Sequence, residues 1–450
     1  MSSLYTGVSR SWNRAVSLGL ILAGELLTAC GEAQEANTPE DSGRMCEQSW
    51  PRGQQLGTAL GDEALALGAG KDGELYVVGY EGAVLGESNL GPSGDAQGFV
   101  MRLATDGRVE WKRALGTVGT DTVEALEMAP EGRGLWVAGR TTGAFEGFRS
   151  GGQFDGFLAS VTSEGEATVL YQWGDARPQH PVRLARTPAG SFVVAGYDDI
   201  YVPSNYVESW EDPFVLRISQ GADGAWGTDW NRRWDSTHSD WYTGLTVGAA
   251  EESYVSGNAL SGSARGAFVQ RRDERGELAW NLSLSPHPLD TAAKLVALPG
   301  GDVLVAGTTY GAVGNLPVRA GQDVYLARLD GATGEARWVS RAGTLEADFV
   351  TAMVVDSRGH AFVAGETTGV FEGATGERGS LDAFALEFDA NGELLGTWQH
   401  GSQGGADDHV ADVVVDACGR VFVAGYTEGV FVEGSAPPGG RDAFIVPVSF

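Results

Sequence analysis

Basic residues are scarce in this chain: 31 lysines and arginines stand against 60 acidic residues, for a net charge of −29. So acidic a protein is repelled by phosphate backbones, which excludes a nucleic-acid partner. Long apolar runs are missing too, since nothing after residue 30 approaches the ~18 apolar residues of a membrane span. Cysteine is rare, at 3, and the 6 histidines are scattered, so neither Cys-x-x-Cys nor His-Glu-x-x-His occurs. A phosphate loop and a Gly-x-Ser-x-Gly nucleophile elbow are also lacking; no catalytic residue is nominated and no cofactor is expected. Glycine is what abounds: 67 of 450 residues, without the Gly-X-Y period of collagen. At 42% apolar and 20% charged, the chain has the means to bury a large core.

The glycines recur in step. A β-branched and aromatic run ending in Gly returns at Gly79, Gly139, Gly196, Gly257, Gly307, Gly365 and Gly425, at intervals of 60, 57, 61, 50, 58 and 60 residues. Each of these seven units reads as four strands. The first opens near an acidic residue and the second is the Val-Ala-Gly run. The third opens with Asp-x-aromatic (Asp155, Asp212, Asp323, Asp382, Asp442), and the fourth carries a tryptophan. Trp111, Trp173, Trp338 and Trp398 lie odd numbers of residues before the glycine that ends their strand, so they share one face. Large rings on one face are what packing between sheets needs, and they are read as core rather than as a ligand platform.

Four antiparallel strands repeated around an axis make a β-propeller, which leaves few sheet edges open. The seventh unit stops after its third strand, at Phe450, while residues 47–57, with Trp50 and Gly57, resemble the fourth strand of unit one. The expectation is therefore all-β: a seven-bladed propeller over residues 46–450, closed by an N-terminal strand that completes the last blade.

Residues 1–29 read as an address. Arg10 and Arg14 precede an apolar stretch, and Leu27-Thr28-Ala29-Cys30 follows. This resembles a bacterial lipoprotein signal, which implies diacylglycerol on Cys30, a tether over residues 30–45, and a cell-envelope location with the lipid as the only membrane contact. The alternative is an ordinary secretory signal. With Cys30 acylated, Cys46 and Cys418 remain as an even pair in an exported chain. Both fall in turns at one end of the closing blade, so a Cys46–Cys418 disulfide is expected, two free thiols being the alternative.

The body also resembles the bacterial seven-bladed β-propeller repeat family often called SBBP repeats, through Gly425-Tyr426-Thr427, Asp442-Ala443-Phe444 and Asn391-Gly392-Glu393-Leu394. The resemblance implies the fold and export, and carries no agreed activity.

Two candidate sites follow. Counting back about 17 residues from each repeat glycine reaches Asp62, Asp121, His180, Asp240, Asp290, Asp348 and Asp408. Clustered carboxylates suit a hard cation such as calcium; the competing reading, which recurrence in every unit favours, is that each accepts backbone N–H groups in its own loop. The second candidate lies where the repeats differ. Unit four shortens its second-to-third-strand loop (Gly257 to Gly266), leaving a notch, and unit three carries an aromatic, acidic loop over residues 198–211. Asp198, Asp199, Tyr201, Tyr206 and Trp210, with Trp241 beside them, make a candidate platform for a glycan or peptide. The sequence thus points to a monomeric, non-enzymatic binding or scaffold protein with an envelope protein or glycan as partner. The alternative is a polysaccharide- or polymer-acting enzyme with its site at the channel mouth.

Overall fold

The computed structural model describes residues 50, 53–83, 96–132, 134–201, 209–234, 239–259, 266–284, 287, 289–311, 321–374, 379–436 and 439–450. Cys30, Cys46 and Tyr206 lie outside these residues, as do the leader and tether.

The described strands form seven four-stranded antiparallel sheets. Blades I to VI span residues 61–114, 121–173, 179–233, 240–283, 291–342 and 348–400. Blade VII combines Asp408–Val415, Val421–Thr427 and Asp442–Val448 with Gln54–Leu56 from the other end of the chain. The register there is Gln54 opposite Ile445, Gln55 opposite Phe444 and Leu56 opposite Ala443. The first strand of each blade touches that of the next all the way round, Gly61–Ala69 meeting Asp408–Val415, so the first strands line a central channel and the ring is closed. Among the described residues no helix is long and apolar enough to cross a membrane.

The repeat motif has a packing cause. Second strands are sandwiched between neighbours, and in Asp302–Thr309 every residue is buried, which accounts for continuous apolar runs rather than alternation. The motif glycine is required by close approach. A Cβ on Gly425 would stand 1.8 Å from the His409 carbonyl oxygen, and at Gly79, Gly139, Gly196, Gly257, Gly307 and Gly365 the equivalent carbonyl is 1.8–2.3 Å away. Immediately beyond this contact each first strand carries a β-bulge, at the same register in all seven blades. The bulge adds twist where the first strands must converge on the axis.

Tryptophans join blade to blade. The Trp111 indole donates to the Ser163 carbonyl at 2.9 Å, Trp230 to Glu274 at 3.1 Å and Trp280 to Gly331 at 3.1 Å, each in the following blade. Trp50 lies against Gly107 of blade I, whose φ of +86° only glycine adopts freely, and its ring is 4.8 Å from Phe422.

Candidate functional site at the channel mouth

The aspartates at the starts of the first strands are loop anchors. Asp121, Asp290, Asp348 and Asp408 are fully buried. Asp408 accepts from the Ser402 N–H at 2.6 Å and the Thr427 hydroxyl at 2.5 Å, Asp348 from the Thr344 N–H at 2.7 Å, and Asp121 from the Thr117 N–H at 2.7 Å. Asp290 accepts from the Tyr310 N–H at 2.6 Å and Asp62 from the Gly82 N–H at 3.0 Å, while Asp240 is buried as well. Asp240 apart, these carboxylates are spent on the protein's own backbone and hydroxyls. Burial pushes Asp408 up to about 6, against the hydrogen bonds that lower it.

Register corrects one member of that ring. Pro181, not His180, faces Gly196, so Gln179 takes the aspartate position and Asp198 the place of the threonine opposite. His180 belongs to the next position inward. There the seven blades hold seven different facing pairs: Glu63 with Tyr80, Thr122 with Arg140, His180 with Tyr197, Trp241 with Asn258, Thr291 with Thr308, Phe349 with Glu366, and His409 with Tyr426. Structural positions repeat, whereas this one does not.

On the side of blades II and III the ring is saturated. Glu124 pairs with Arg140 at 3.1 Å, Arg140 donates to Nδ1 of His180, and Nε2 of His180 meets Asp199 at 2.8 Å. With Nδ1 accepting, the proton sits on Nε2 and faces the carboxylate. Burial holds His180 below its ordinary value, and Tyr197 stacks on its ring at 4.6 Å. This imidazole has no free nitrogen.

The arc from blade IV to blade VII is open. Trp241, Thr291, Phe349, Glu366, His409 and Tyr426 are all partly exposed. His409 Nδ1 lies 3.1 Å from Glu366 Oε1, and Nε2 makes no hydrogen bond among the described residues. Burial lowers the basicity of this imidazole, but the Glu366 bond and charge outweigh it and hold it above the ordinary histidine value. Tyr426 stacks on His409 at 4.5 Å with Arg441 over its other side at 4.4 Å, and Arg441 pairs with Glu63 at 2.9 Å.

About three residues deeper, or roughly 10 Å along the strand, the channel is crossed by charge. Lys294 of blade V reaches Asp412 of blade VII at 3.2 Å, and Asp412 also accepts from the Leu67 N–H of blade I at 3.1 Å. Burial depresses Lys294, with Asp412 opposing the shift and Arg183 adding to it.

The sequence-nominated platform is divided. Asp199 and Trp241 stand at the mouth. Asp198 points to the opposite face, fully buried and 2.6 Å from Arg233; burial pushes it up to about 7. The supposed loop over 198–211 is largely a hairpin extension, with Tyr201 opposite Ser209 and Ile200 opposite Trp210. The residues that would border the expected notch, 202–208 and 260–265, lie outside the described ones. Sequence reasoning missed His409, Glu366 and Phe349. Their signal was variability at the residue following each invariant glycine, where Glu366 stands, and at the first-strand residue facing it, where Phe349 and His409 stand.

No family model and no curated protein matches the chain. Solved structures similar to it include a puromycin hydrolase mutant at 15% identity and TM-score 0.43, covering 87% of this chain and 60% of that one. The polysaccharide lyase Uly1 is similar at 10% identity and TM-score 0.44, covering 90% and 95%. The β-propeller domain of Myceliophteria thermophila Cps50 (Swd1) is similar at 10% identity and TM-score 0.45, covering 88% and 99%. At these scores the likenesses carry no argument; the seven four-stranded sheets closed into a ring make the protein a seven-bladed β-propeller.

Proposed function

We propose that this propeller is an exported, lipid-anchored binding or scaffold protein of the bacterial envelope, of the SBBP type, that holds an envelope glycan or protein at the open arc of its channel mouth without transforming it. The observation that carries the reading is the divergence of one register position among seven otherwise repeated blades, because a single asymmetric partner needs unlike contacts at like positions. Trp241 and Phe349 offer ring faces, and Glu366 and His409 offer hydrogen bonds, a combination suited to a polyhydroxylated or peptide surface. The expected anchor is Cys30. The proposed Cys46–Cys418 link is supported by the bonded state of the Cys418 sulfur. That sulfur also stands 3.8 Å from where a Cβ of Gly73 would be, at the seam between blades VII and I.

Capture of envelope components on residues 46–450 tests this reading. A partner retained by the wild type should be lost when Trp241, Phe349 and His409 are replaced by alanine together with the fold intact; equal retention overturns it. A second reading, a polymer-acting enzyme, is favoured by the Glu366–His409 pair with its open Nε2, the arrangement a general base requires. It predicts that envelope polysaccharide is shortened by the wild type and not by His409→Ala.

A further inference from the structure

The opposite end of the channel holds a recess that the mouth does not explain. It has a volume of about 290 Å³ and lies where the first strands of blades II, III and IV end. Glu127 and Arg186 line it, together with Met128, Pro130, Pro188 and Val247. That volume is about ten waters' share of liquid, the size of a small metabolite.

Its two charges are unspent. Glu127 faces Trp136 across its blade, and the Arg186 guanidinium lies 5.0 Å over the same Trp136 ring. Among the described residues they form no ion pair with each other, and neither makes a hydrogen bond. Arg186 Nε is buried without a partner. A buried donor without a partner is unfavourable, the more so on a charged group. Burial pushes the Glu127 carboxyl up to about 7, with Arg186 pulling the other way.

A ligand that satisfies both groups carries an anion for the guanidinium fork, a cation for the carboxylate and an apolar body for the methionine, valine and prolines. We propose that this recess binds aliphatic α-amino acids in their zwitterionic form, the carboxylate on Arg186 and the ammonium on Glu127. The site is independent of the channel mouth, so its failure leaves the reading of the mouth untouched.

Calorimetry on the full chain with L-leucine, L-leucinamide and N-acetyl-L-leucine tests it. Leucine should bind, and the two analogues, each lacking one charge, should bind at least about tenfold more weakly. Arg186→Gln should erase the preference for leucine over leucinamide, and Glu127→Gln the preference over N-acetyl-leucine. The analogue series on the wild type decides even if a variant fails to fold. No heat with leucine at about 10 mM, or equal binding of all three, overturns the proposal.

Discussion

Gln55 donates its side-chain amide to Asp442 at 3.0 Å across 387 positions of chain. The same amide reaches the Gly429 carbonyl at 3.0 Å, and its oxygen accepts from the Phe431 N–H at 2.9 Å. Blade VI repeats this clamp: Gln399 reaches Asp382 at 2.8 Å and Gly369 at 2.9 Å, and accepts from Phe371 at 3.0 Å. Gln172 does the same in blade II. The closing strand is thus a blade member in its side-chain chemistry as well as in its register. Gln55→Ala strands an Asp oxygen and a loop N–H together. It should cost ~2–4 kcal/mol in urea denaturation, matching Gln399→Ala within about 1 kcal/mol; a neutral Gln55→Ala would show the closure to be made elsewhere.

Trp50 is the second closure element. Truncating a buried tryptophan costs ~3–5 kcal/mol, and Trp50→Ala should show a loss of that order although it precedes the first described strand. Gly107→Ala attacks the same contact from blade I by adding a Cβ 2.5 Å from the indole at a φ of +86°. It should cost more than about 1 kcal/mol from the backbone alone. Combined, the two substitutions should cost less than their sum, since they break one contact.

The seam should also be covalent. Peptide mapping of the exported protein without reductant is expected to recover Cys46 and Cys418 in one linked fragment. Reduction should lower the unfolding free energy by up to ~6 kcal/mol on a chain-entropy argument for so long a loop, seen as a lower urea midpoint. Two free thiols in that map would leave the closure with non-covalent fastenings alone.

What the sequence made legible was whatever repeats. Seven glycines, the Asp-x-aromatic openings and the displaced Trp50 announce blade number and closure because each contact is made several times over. The mouth was less legible for a geometric reason. The turn between first and second strands varies in length, so the count back runs to 17 residues in most units and to 18 for Asp121, and that slack admits His180, 16 before Gly196, where Gln179, 17 before it, is the equivalent. Lys294 and Asp412 gave no signal, since two residues on non-adjacent blades meet only when the ring is closed.

Burial raises Asp408, as it does Asp121 and Asp348, and sets a pH dependence opposite to that of ordinary acid denaturation. The folded-state pKa of Asp408 is raised to about 6 from 3.8, so between those values the folded protein holds the proton more than the unfolded chain does. Its contribution is therefore full below about pH 4 and is lost as pH rises through about 6. Relative to Asp408→Asn, which does not titrate, the wild type should lose about 2 kcal/mol between pH 4 and pH 7. A difference that stays flat across this range would mean that Asp408 is ionised throughout.

The ion pair across the channel makes the last prediction. Asp412 is the carboxylate that Lys294 meets, and it also caps the Leu67 N–H. Removing one partner of a buried pair leaves the other charge uncompensated at a cost of ~3–5 kcal/mol, whereas replacing both by neutral groups is often nearly neutral. Asp412→Asn should accordingly destabilise strongly, because Arg183 adds to the uncompensated positive charge at the axis. Adding Lys294→Met to that variant should restore most of the loss. Simple additivity of the two substitutions in urea denaturation would mean that the ammonium is solvated through the channel, and that Lys294 and Asp412 do not close it.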